Sequence, residues 1–223
     1  MDWTPFLISF KLASVTSVCL LFLATPVAYV LAFGRFRGKT FVEATFALPI
    51  VLPPTVLGFF VLVAVGNLSP LGRWYEALFG STLAFSFAGV VVASILYSFP
   101  FAVQPIQNAF EGIKPNILDA ARTLGCTRWQ TFLRVVVPAS RKGLVTGAMI
   151  SFAHTVGEFG VVLMVGGSIP GKTKVASISI YEHVELLDYR RAAVEAAALL
   201  IFSYAMLSAV YYFNRKRTLV ARW

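Results

Sequence analysis

Five stretches of this chain are too apolar, too long and too poor in charge to fold in water. They lie near residues 6–33, 41–66, 84–108, 143–167 and 191–213. At about 1.5 Å per helical residue each is long enough to cross a hydrocarbon layer of about 30 Å. In hydrocarbon every backbone N–H and C=O must be paired within the segment, which selects helices here. The expected fold class is therefore all-α, a polytopic membrane protein with five transmembrane helices forming a single transmembrane domain over 1–223. Hydrophobic residues make up 58% of the chain and charged residues only 13%, in keeping with the lipid bilayer as its surroundings.

The formal charge of +9 raises the question of nucleic acid, and the distribution of the basic residues answers it. With the N-terminus outside, the inner segments hold Arg35, Arg37 and Lys39, then six cations between 114 and 142, then Arg215, Lys216, Arg217 and Arg222. That is thirteen of the nineteen Lys and Arg residues, the bias that cytoplasmic loops carry. No nucleic-acid partner is expected. Lys11 lies near the outer end of the first span, where its ammonium can snorkel. Cys19 and Cys126 are too few and too far apart for a disulfide framework or a metal set.

GGSIPGKT at 166–173 matches the letters of a phosphate-binding loop. It follows an apolar helical stretch and no strand, Pro170 removes an N–H donor before the second glycine, and the orientation above puts it outside. We expect a helix end and a tight turn there, with no nucleotide site, no catalytic residue and no cofactor on this chain. His154 and Glu158 are separated by four residues as a zinc pair could be, but no third ligand stands nearby, so no metal is expected.

The longest inner loop, KPNILDAARTLGCTRWQTFLRVVVPASRK at 114–142, reads as two short helices at an angle. Asn116 is the expected N-cap of the first and Gly125 its stop. The second should run from about Arg128 to Val136 and end before Pro138. One face of this knob would offer Ala120, Ala121 and Leu124, with Asp119, Arg122 and Arg128 supplying charge.

This loop resembles the coupling loop of ABC-importer permeases, whose pattern is E-A-A, three residues, Gly, nine residues, I-x-L-P. Asp119-Ala120-Ala121, Gly125 and Val135-Val136-Val137-Pro138 keep both intervals, with Asp replacing Glu and valines replacing Ile and Leu. LPIVLPPTVLG at 48–58, GEFG at 157–160 and IPGKTKVASISIYEHVE at 169–185 extend the likeness to the oxyanion-importer permeases for molybdate, sulfate and tungstate, of type I ABC importer fold. The resemblance implies that Asp119, Ala120, Ala121, Gly125, Arg128 and Pro138 seat in a separate ABC ATPase subunit, where ATP and Mg are bound. It also implies a second copy of the chain, an extracytoplasmic oxyanion-binding protein docking near 67–83 and 168–190, and a place in the bacterial cytoplasmic (inner) membrane.

A tetrahedral dianion crossing hydrocarbon needs dipoles in place of its hydration, held loosely enough to let it leave. Gln104, Gln107 and Asn108, close to Pro100 and Pro105 of span three, supply amides. Ser151, His154, Thr155 and Glu158 recur at three- and four-residue steps, so they share a helix face in span four. These seven are the candidates for a translocation path. Glu158 cannot attract a dianion by charge, so a gate, a dimer contact or a structural role is expected of it. His154 stands where these permeases commonly carry arginine, which makes a cationic role there dependent on pH.

Overall fold

The structure, a computed structural model, describes residues 2–219. Among them there are helices and no strands: α1 (Thr4–Phe33), α2 (Lys39–Val51), α3 (Pro54–Val65), α4 (Pro70–Phe79), α5 (Phe87–Glu111), α6 (Pro115–Thr123), α7 (Arg128–Thr131), α8 (Val137–Ala139), α9 (Arg141–Val156), α10 (Gly160–Gly166), α11 (Ala176–Glu185) and α12 (Tyr189–Leu219). Three helices, α1, α5 and the Tyr189–Ala209 part of α12, are each long and apolar enough to cross a membrane. The second and fourth apolar stretches are bent pairs, α2 with α3 at 111° and α9 with α10 at 65°, giving up to five spans. Arg222 lies outside the described residues, and of Arg215, Lys216 and Arg217 only the helical backbone is described.

The first bend follows from covalent chemistry. Pro53 and Pro54 have no N–H to give, and Leu52, preceding a proline, adopts extended backbone with ψ 136°. Pro49, by contrast, stays inside α2, so only two of the three prolines in LPIVLPP interrupt the span. The second bend has no proline. Its cause is tertiary: a Cβ on Gly160 would lie 2.8 Å from the Pro54 Cβ, and one on Gly58 2.8 Å from the Met164 Cβ. The two breaks thus press against each other, α10 upon α3.

Small residues set the rest of the packing, as expected where lipid gives helices no hydrophobic reason to associate. Ala24 and Ala28 of α1 meet Ala102, Val103 and Ile106 of α5 in the largest core cluster, closed toward the knob by Phe110, Ile113 and Val136. α9 approaches α5 even more closely through Gly143 and Gly147. A Cβ at Gly143 would lie 2.2 Å from the Ala109 Cβ and 2.8 Å from the Pro105 carbonyl oxygen, and one at Gly147 2.9 Å from that of Ala102.

α1 also supplies a cap to a distant helix. Ser9 Oγ accepts from the Ala176 N–H at the start of α11 at 2.9 Å and donates to the Pro5 carbonyl at 3.0 Å. Both residues are buried. Ser9→Ala leaves that N–H without its acceptor, and should cost about 1–3 kcal/mol, read as a lower thermal midpoint of the detergent-solubilised chain. Lys11 does not simply reach for water: its ammonium lies 4.8 Å from the centroid of the Phe87 ring, a cation–π contact between α1 and α5.

Candidate functional site

The knob begins with α6, whose N-cap is Lys114 and not Asn116, because Pro115 takes the first helical position. Asn116 lies within the helix. α6 ends as expected at Gly125, in left-handed backbone with φ 76°. The Cys126 N–H donates to the Ala121 carbonyl at 3.1 Å and the Gly125 N–H to that of Arg122 at 2.9 Å. This double closure is the Schellman arrangement. Thr127 and Gln130 then exchange side-chain and backbone hydrogen bonds at 3.2 and 2.9 Å, a capping box that starts α7.

Two expectations need correction. The chain does not stop before Pro138: after α7 it widens into a π-helical turn over Phe132–Val136 and passes into α8. Longer-range pairing in that turn lets the helix continue up to a residue without an N–H. Ala121 does not join the outer face either. It is 5% exposed and turned inward, while Leu124 at 82% and Trp129 at 67% form the outermost apolar surface with Ala120. Asp119 and Arg122 pair with each other at 3.0 Å and stay exposed.

The seven candidates for a path fall in two places. Gln104, Gln107 and Asn108 line a cavity of about 590 Å³ between α5 and α2. Thr40, Glu43 and Glu111 also line it, and the Gln107 amide nitrogen donates to Glu43 Oε1 at 3.1 Å and Glu111 Oε1 at 2.9 Å. That amide is occupied. Ser151, His154 and Thr155 lie elsewhere, on α9: the Ser151 hydroxyl donates to the Ala148 carbonyl at 3.1 Å, while His154 and Thr155 face Ser98 of α5, a residue that sequence reasoning missed because it sits in an apolar run without periodic signal.

Counting protons orders this second group. Thr155 Oγ1 donates to the Ser151 carbonyl at 2.9 Å, so it accepts from Ser98 Oγ at 3.0 Å. With its one proton spent, Ser98 Oγ accepts from His154 Nδ1 at 2.9 Å. The imidazole is stacked on Phe101 at 3.9 Å and leans on Tyr97 at 4.9 Å. A neutral His154 in this relay presents a lone pair at Nε2, and only the cation presents an N–H there.

Glu158 does not belong to the helix face of the other three. α9 ends at Val156, and Glu158 occupies the break before α10, 4% exposed. Its carboxyl faces Ser94 of α5, yet neither of its oxygens nor the Ser94 hydroxyl is at hydrogen-bonding geometry. Its backbone carbonyl accepts from Ser177 Oγ at 2.6 Å, tying the break to α11.

The GGSIPGKT segment leaves a helix, α10, and turns through Gly167 and Gly171 at φ 63° and 74°. The N–H groups of Lys172, Thr173 and Lys174 all point at one acceptor, the Ile169 carbonyl, at 3.0–3.1 Å. Donors spent internally cannot cradle a phosphate. Glu182 fastens the loop, accepting from Ser168 and Lys174. Burial alone would raise the Glu182 carboxyl, but those two hydrogen bonds and the Lys174 charge outweigh it and hold it below the ordinary glutamate range. A depressed carboxyl contributes stability above its unfolded value and loses it as pH falls through the folded one. Amide exchange in 168–175 should therefore accelerate on acidification below about pH 4.3, and Glu182→Gln should abolish that dependence.

Two broken spans, an angled two-helix knob and a polar seam between α5 and α9 make up the architecture of the described residues. Among solved structures, the MetNI methionine ABC transporter in its inward-facing conformation superimposes with a TM-score of 0.72 at 18% identity, over 95% of this chain and 94% of that one. Residues 24–218 match the family of binding-protein-dependent transport system inner membrane components, and the chain belongs to it. It is 50% identical over 210 residues to the molybdenum transport system permease protein ModB of Azotobacter vinelandii, 94% of this chain and 93% of that protein. The sulfate transport system permease protein CysT of Escherichia coli is 35% identical over 183 residues, 82% of this chain but 66% of that protein.

Proposed function

We propose that this chain is the permease subunit of an ABC importer that moves molybdate into the cytoplasm of a bacterium, working as two copies in the inner membrane. The observation that carries the substrate is the 50% identity spread over nearly the full length of both chains, against a lower and shorter match to the sulfate permease. The N-terminus lies outside, which puts the knob in the cytoplasm, where most of the basic residues then fall. An ABC ATPase subunit takes Ala120, Leu124 and Trp129 into a cleft, and binds and hydrolyses ATP with Mg there. Asp119, Arg122 and Arg128 rim that seat. Pro138 and the π turn join the knob to α9, and Gly143 and Gly147 carry its movement to α5.

An extracytoplasmic binding protein delivers the oxyanion to the outer face, on 168–190 and on α4 with its exposed Leu71, Trp74 and Leu78. The hydroxyl protons of Ser98, Ser151 and Thr155 are spent within the seam, so these three hold the His154 ring beside the path, where a dianion must find weak, exchangeable dipoles if it is to enter and leave. His154 binds it more strongly as the cation, since only that form turns an N–H outward. Gln104 and Asn108 serve nearer the inner end. Glu158, a carboxyl side chain closed off from water, acts as the pivot of the α9–α10 break and not as an oxyanion ligand.

The test is flux. Proteoliposomes holding the complex should take up molybdate delivered by its binding protein and consume ATP, with sulfate at least about tenfold poorer. Equal uptake of sulfate contradicts the substrate; uptake of either without ATP or the ATPase subunit contradicts the class.

A further inference from the structure

We propose that the cleft between the inner end of α1 and the knob is a binding site for the headgroup of an anionic phospholipid. The cleft has a volume of about 720 Å³. Tyr29, Val30 and Phe33, from the last turns of an apolar span, line it with Arg35 just beyond them; Arg122 and Arg128 line it from the knob. Asp119 also lines it, but its carboxylate is engaged by Arg122. Arg35 and Arg128 have no ion-pair partner among the described residues.

The occupant follows from the continuity of the apolar side. Val30 is 53% exposed and belongs to the outward stripe of α1 that includes Val18 and Phe22. Val18, Phe22 and Val30 follow one another at steps of four and eight residues, a stripe that slants round the helix by about 40° for every four residues. A molecule with an acyl chain along that stripe and an anion at its end satisfies both the apolar and the basic residues of the cleft at once. Guanidinium groups pair with phosphate oxygens in a forked geometry, and basic pockets at the ends of membrane helices suit anionic headgroups. A free phosphate would use the arginines and leave the apolar wall idle. An acidic partner segment would do the same. This inference does not depend on what the permease carries; it adds a lipid contact to the joint that links knob and span.

The full chain, purified with its partner subunits and delipidated in detergent, is titrated with phosphatidylglycerol, with phosphatidylcholine of the same acyl chains, and with inorganic phosphate. Bound molecules are counted by native mass spectrometry. Phosphatidylglycerol should be retained well above phosphatidylcholine, and phosphate should not displace it. Each arginine near a lipid surface contributes roughly fivefold, so Arg35→Gln should weaken retention about fivefold and Arg35→Gln with Arg128→Gln about 25-fold. Arg35→Lys, which keeps the charge and loses the fork, should fall between the parent chain and Arg35→Gln, separating a lost contact from a lost fold. Equal retention of the two lipids, displacement by phosphate, or unchanged affinity in the double variant would overturn the proposal.

Discussion

Gly143→Ala should abolish transport by adding a single methyl group. The new Cβ would stand 2.2 Å from the Ala109 Cβ and 2.8 Å from a backbone oxygen of α5. No rotamer relieves that clash, because both neighbours are fixed to a helix backbone. α9 must move away from α5 or tilt, at a cost of about 3 kcal/mol or more, the upper range for overpacked interiors. The Ser98–Thr155 and Ser98–His154 bonds cross the same interface, so the polar seam should open with it. The expected result is a large loss of folded yield in detergent and uptake near background. Gly80→Ala is the internal control: it too changes a glycine, at φ 65°, but into open space, and should cost only the roughly 1–2 kcal/mol of left-handed strain.

The second large effect lies at the knob, and there stability and function should separate. Leu124 is 82% exposed, so Leu124→Asp removes nothing from the core of the isolated chain. It places a charge at the centre of the surface assigned to the ATPase cleft, where an unpaired buried carboxylate is costly. We expect a thermal midpoint within error of the parent chain, with co-purification of the ATPase subunit reduced at least about tenfold, equivalent to 1.4 kcal/mol. Gly125→Val should act in the same direction more weakly. Its Cβ meets nothing within 4 Å, so the penalty is local strain of the turn that aims α6 at α7.

These effects also show where sequence reasoning reached and where it stopped. Pro53 and Pro54 announce a break in span two because a proline without an N–H cannot continue a helix in any surroundings. The break at Glu158 carries no such mark. It depends on Gly160 meeting Pro54, a contact between segments about a hundred residues apart that no local window contains. Gly125 was legible as a helix stop, whereas the inward turn of Ala121 follows from how α6 packs against α7 and the π turn. The seam was half legible. Ser151, His154 and Thr155 stand out as polar residues at helical steps, but Ser98 is one hydroxyl in an apolar run, and its importance appears only once α5 and α9 are side by side. The Gln107 amide was readable as a polar group and not as an occupied one, since Glu43 sits 64 residues away.

The role of the knob is tested most directly by linking it to its neighbour. With Ala120→Cys as the accessible thiol at the tip, in a chain whose Cys19 and Cys126 are replaced by serine, a short bifunctional reagent should join this chain to the ATPase subunit in inside-out vesicles. The link should hold ATP turnover at one level whether or not molybdate-loaded binding protein is present. A thiol at 120 that reacts only from the extracytoplasmic side, or a linked complex whose ATP turnover still rises several-fold with loaded binding protein, would contradict the account.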